Sequence, residues 1–178
     1  MLMYKMKAWG DKMTKKNEKI INGMLSRIIK EQFRKGCIID NRFVLTDGYI
    51  FLVSDEVPNI PLYNEPDDVL NFKCLLQVQA NMMRSRKIDV SYSSSAIREW
   101  HKQNGRTPYY IGAKAKGYSI GVDPLFLSEA MELTKSKTIY VADKYSGSLM
   151  LKGNGVTIFI MPILVQSDTA EETTIKEV

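Results

Sequence analysis

The chain has 178 residues, 44% of them apolar and 25% charged, the balance of a globular domain long enough to bury its own core. No run approaches the roughly 18 apolar residues a membrane span needs, and Met1–Lys7 lacks the apolar stretch of a signal peptide, so a cytoplasmic protein with no membrane partner is expected. Cys37 and Cys74 stand far apart and His101 is the single histidine, which argues against a four-ligand zinc site and against a disulfide framework; no metal and no cofactor are expected.

The net charge of +5 is unevenly spread. Residues 1–36 hold ten Lys/Arg against three Asp/Glu, whereas residues 166–178 hold one Lys against four acids. A basic segment at one end points to a polyanionic partner, and the acidic end reads as a solvated, flexible tail.

In chain order, Tyr4–Trp9 is a possible lead strand. A helix is expected from about Thr14, as cap, to Lys35, with Gly36 as its stop. Ile21, Met24, Leu25 and Ile28 recur at three- and four-residue steps on its apolar face. On the other side Lys16, Lys19, Arg27, Lys30 and Arg34 share one sector, with Gly23 and Ser26 at its middle. Stacked like charges cost a helix a few tenths of a kcal/mol per pair, about the size of a favourable pair, so the stripe does not serve helix stability. A solvated face would mix signs; this one favours contact with phosphates.

Three strands should follow, through Cys37–Ile39, Arg42–Leu45 and Tyr49–Val53, with turns at Asp40-Asn41 and Thr46-Asp47-Gly48. Residues 54–108 are less regular: prolines at 58, 61 and 66, a helix over about 67–84, and a short helix from Ser93 to Lys102 ended by Asn104-Gly105. Tyr109–Ala113 and Gly117–Val122 read as strand and lead-in. Asp123-Pro124 then starts a helix to about Thr134, a capping side chain followed by proline at the first helical position. Strands over 138–142, 148–152 and 156–161 complete the pattern, the last two joined by Gly153-Asn154-Gly155.

The two ends share an order: lead strand, amphipathic helix, three short strands. A repeated βαβββ unit places the chain in the α+β class, as one domain over 1–165 with half-repeats at about 1–56 and 109–165. A partly helical insertion spans about 57–108, and 166–178 is the tail.

Gly121-Val122-Asp123-Pro124 through Leu133, with Thr138–Ala142, Ser148–Leu151 and Phe159-Ile160-Met161-Pro162-Ile163-Leu164, resembles the last half-domain of the bacterial DNA polymerase III β sliding clamp family. Val44-Leu45-Thr46-Asp47-Gly48-Tyr49-Ile50-Phe51-Leu52-Val53 is similar to that family's Thr-Asp-Gly-His-Arg strand-turn-strand, with Tyr49-Ile50 in place of His-Arg. The similarity covers about 45 C-terminal residues and about 15 near residue 50. It implies a DNA-clamp-like domain of phage or mobile-element origin and a non-catalytic processivity factor in DNA replication. Helices would line a channel holding double-stranded DNA without sequence readout, in a homo-oligomer. It also implies a client-peptide site for a DNA polymerase or other replisome protein, at Thr46, Gly48, Tyr49 and Ile50 with Met161, Pro162, Ile163 and Leu164.

Glu129 and Glu132, on a helix that a channel would want neutral or basic, together with the long insertion, favour an alternative: a clamp-fold module that closes no ring and binds a replisome protein or the host clamp. An enzyme is not expected. Asp47, Asp55, Asp67 and Asp68 show no acid–base or metal pairing, Lys114–Gly117 lacks a phosphate-loop pattern, and Ser93–Ser95 lacks a nucleophile-elbow context.

Overall fold

Short runs of β-branched and aromatic residues, broken by Asn and Gly, suit an antiparallel meander whose turns need positive φ. The computed structural model describes residues 13–27, 35–39, 41–46, 49–58, 77, 81, 83, 86–105, 107–111, 120–141 and 148–163. In chain order these form α1 (Lys15–Arg27), β1 (Lys35–Ile39), β2 (Arg42–Thr46), β3 (Ile50–Ser54), β4 (Arg86–Asp89) and α2 (Ser94–Asn104). They continue through β5 (Tyr109–Ile111), β6 (Ile120–Val122), α3 (Pro124–Thr134), β7 (Thr138–Val141), β8 (Leu149–Gly153) and β9 (Val156–Ile160). The class is α+β.

Seven strands make one antiparallel sheet in the order β1-β2-β3-β9-β8-β7-β4. Two meanders, β1-β2-β3 and β7-β8-β9, are joined where Ile50 pairs with Ile160 and Leu52 with Ile158. The β8–β9 reversal uses Asn154 (φ 50°) and Gly155 (φ 68°), a two-residue turn with both central residues left-handed. Asn41 (φ 61°) helps reverse the chain between β1 and β2.

Alternate residues of β2, β3, β7, β8 and β9 face the helices. Phe43, Leu45, Ile50, Leu52, Ile139, Leu149, Leu151, Ile158 and Ile160 enclose a core shared with Ile20, Ile21 and Met24 of α1, Ile97 of α2 and Leu127, Ala130, Met131 and Leu133 of α3. The sheet's other face is apolar too: Ile39, Val44, Val53, Met150 and Phe159 are all buried there, with Phe51 set edge-on to Phe159 at 6.3 Å.

Three expectations need correcting. Lys35 and Gly36 are not the end of a helix: they belong to β1, opposite Thr46 and Leu45, and extended pairing with β2 outweighs the local stop signal. Arg86–Asp89, read without secondary structure, is the edge strand β4, held antiparallel to β7 with Ile88 opposite Ile139. Tyr109–Ile111 and Ile120–Val122 are strands as read, but they pair with each other as β5-β6, apart from the seven-stranded sheet; Gly121 of β6 bridges to Ile163. The expected strand at Tyr4–Trp9, the tail 166–178 and most of the helix over 67–84 lie outside the described residues, although Gln77 and Asn81 are helical.

Candidate nucleic-acid interface

α1 starts where its sequence says it should. The Thr14 hydroxyl accepts from the Asn17 N–H at 3.3 Å, and the Glu18 N–H reaches the Thr14 carbonyl at 3.0 Å. Because Ile20, Ile21 and Met24 are drawn into the core, the opposite side faces water, and Lys15, Lys16, Lys19, Asn22 and Ser26 are exposed there. Glu18 is half-buried, so the lysines dominate the charge of the open face.

Of the five stripe residues, Lys16 and Lys19 are thus placed at the surface of one helix. Arg27 is the last described residue of α1, its side chain outside the described set, and Lys30 and Arg34 lie outside it too. Lys16 sits on the flank nearest α3. Its side chain is 68% exposed, yet its ammonium forms an ion pair with Glu132, whose own side chain is 16% exposed.

Glu132 gathers three donors. Lys16 and Lys135 reach Oε1, the latter at 2.9 Å, and the Ser94 hydroxyl donates to Oε2 at 2.8 Å. Hydrogen bonds from Lys16, then Lys135, then Ser94 stabilise the anion and pull its pKa from 4.5 down to about 2. One carboxylate of α3 therefore ties together the flank of α1 and the first turn of α2. Glu129, the other acid of this helix, is buried.

α3 presents little surface. Asp123 caps it, accepting from Leu125 N–H at 2.8 Å and Phe126 N–H at 3.4 Å, and Pro124 occupies the first turn. Beyond Leu125, Phe126 and Glu132, all half-buried, every residue of the helix is buried. The sheet takes one side and α2 another. α2 is itself capped by Ser93, which accepts from Ala96 N–H at 3.2 Å, and closed by Gly105 (φ 63°) donating to the His101 carbonyl at 2.7 Å. Trp100 meets Tyr109 edge-on at 5.3 Å, and burial, then the charge of Tyr92, pushes the Tyr109 phenol up to about 12.

Of the eight residues expected to hold a client peptide, the six described ones lie at one end of the β3–β9 junction. The Met161 N–H donates to the Tyr49 carbonyl at 2.8 Å, and the two side chains are 68% (Tyr49) and 50% (Met161) exposed. Thr46 is half-buried, its hydroxyl donating to the Ile50 carbonyl at 2.9 Å. Ile50 itself is buried against Ile160 in the core, so it supports the surface from beneath. Pro162 and Ile163 are half-buried, the Ile163 N–H donating to the Gly121 carbonyl at 2.8 Å; Gly48 and Leu164 lie outside the described residues.

Two features of this region escaped sequence reasoning: β4, and the use of Ser94 and Glu132 to join helices. Ser93–Ser95 reads as loop, and only its position before an Ile97-centred helix marks it as a cap. Among the described residues no three His, Cys, Asp or Glu side chains come close enough to hold a metal ion, and no helix is long and apolar enough to cross a membrane. No protein family, curated protein or solved structure matches the chain.

Proposed function

We propose that this protein is a non-catalytic, sliding-clamp-like accessory of DNA replication that associates with the backbone of double-stranded DNA and tethers a polymerase or another replisome client. The observation that carries the DNA-binding part is the orientation of α1. Its apolar face is sunk in the core, and Lys15, Lys16 and Lys19 stand together in water on the other side. Exposed ammonium groups on a rigid helix suit phosphate contact without sequence readout, because they neutralise backbone charge and reach no base edges.

The clamp-like part draws support from strand order. β1-β2-β3-β9-β8-β7 reads the same from either end, a helix precedes each meander, and β4 is added outside. That is the arrangement a duplicated unit of one helix and three strands would give. The exposed Tyr49 and Met161, side by side at the β3–β9 junction, are the proposed anchor for a client segment.

A second reading is favoured by one specific observation: α3 is covered by α2 and offers no open face of its own, so it cannot line a channel beside α1. In that reading the chain is an interaction module that closes no ring and binds a replisome protein or the host clamp.

Titration of a fluorescent mixed-sequence duplex with the wild-type chain and with the Lys19→Glu/Arg34→Glu variant tests the proposal. Wild-type binding, lost in a variant that keeps its melting temperature, is the expected result. A wild-type chain that ignores duplex DNA but co-purifies with a clamp or polymerase would overturn it in favour of the module. Light scattering separates the two further: a closed number of copies fits a ring, a strict monomer fits the module.

A further inference from the structure

Lys16 is the one stripe residue with a described intramolecular partner of opposite charge, and the arrangement of that contact is asymmetric. Lys16 depends on Glu132 for its ion pair. Glu132 does not depend equally on Lys16, since Lys135 remains on Oε1 and Ser94 on Oε2 if the lysine leaves. Release of Lys16 therefore strands no buried acceptor, which is the usual reason such a pair resists opening. The lysine side is largely in water and the carboxylate side largely enclosed, so one partner can swing out while the other stays fixed.

We propose that Glu132 is an intramolecular competitor for the phosphate-binding face of α1: its carboxylate holds Lys16 until a polyanion's phosphate replaces it. This rests on the reading of α1 as a phosphate-binding face. A carboxylate and a phosphate oxygen compete for the same ammonium, and a partly exposed ion pair is individually weak enough to be exchanged. The contact keeps the cation in reserve, and occupation by phosphate frees the α1 flank from α3. Ser94 and Lys135 then hold the carboxylate in place, so the exchange reverses when the polyanion leaves.

The test is a cycle of wild type, Glu132→Gln, Lys16→Met and the double variant, each confirmed folded by thermal melting. Each is titrated with the same labelled duplex at several salt concentrations and also run over heparin as a DNA-independent polyanion. Glu132→Gln should tighten duplex binding by about two- to fivefold at low salt. The log–log salt slope should stay that of the wild type, because Lys16 reaches a phosphate in both complexes. The gain in affinity should vanish in the Lys16→Met background. An equal gain with and without Lys16 would mean that Glu132 acts only through its long-range field, and would overturn the proposal; so would no gain at all. If duplex is ignored but heparin retention shows the Lys16-dependent gain, the competitor stands and the DNA reading falls. Indifference to both ligands in all four proteins removes both.

Discussion

Gly153 lies where β8 passes the C-terminal end of α3, and a Cβ added there would run into the Thr134 carbonyl oxygen. Because the obstacle is backbone, neither side can give way cheaply, and Gly153→Ala should cost about 1–3 kcal/mol in urea unfolding. At Asp123 one carboxylate oxygen serves two N–H groups, so Asp123→Ala should cost about 1 kcal/mol by the same measurement. Glu132 gives a pH dependence with a definite sign. Its folded pKa is depressed to about 2, so its contribution is fully present above the ordinary carboxylate range and is lost as pH falls from about 5 towards 2. After screening of the exposed ammonium partners we expect about 1–2 kcal/mol. The melting-temperature gap between wild type and Glu132→Gln should therefore close on acidification; a gap that stays constant from pH 6 to pH 3 would remove this role.

The elements most legible in the sequence are those whose ends are set locally. Thr14, Gly105 and Asp123-Pro124 each announce a helix boundary through a contact within four residues, and each makes that contact. β2, β3, β8 and β9 were legible because Asn-Gly and Thr-Asp-Gly sit between β-branched runs. β4 was not: of Arg86-Lys87-Ile88-Asp89 only Ile88 is apolar, and the strand exists through pairing with β7, some 50 residues away. Lys35-Gly36 misled for a similar reason, since pairing with β2 settles a conformation that the local signal assigns to a helix end. α1 allows its two faces to be tested apart. Ile21, fully buried, should cost about 2–5 kcal/mol as Ile21→Ala. Lys19→Glu, on the open face, should leave the melting temperature within about a degree or two and weaken duplex binding severalfold.

At the scale of the molecule, the sheet rests on a junction that no local pattern encodes. β3 and β9 are about 100 residues apart in sequence, yet their five-residue register is what unites the two meanders. The repeated order of helix and strands was readable; the register that sets Ile50 opposite Ile160 was not. The apolar character of both sheet faces explains why the strands read as nearly continuous hydrophobic runs instead of clean alternation. The candidate interface was readable in part: residue type and helical period identify the stripe. That Glu132 takes hold of Lys16, and that α2 covers α3, depends on tertiary packing.

The central claim is association with duplex DNA through phosphate contacts of α1. Its most direct test is the affinity of the wild-type chain for a mixed-sequence duplex between about 50 and 200 mM salt. Engagement of three to five cations predicts a log–log slope of about −3 to −5, a loss of roughly two to three orders of magnitude across that range, with linear and closed-circular duplex of one sequence bound alike. Affinity that does not change with salt, or no binding at the lower concentration, would contradict the account.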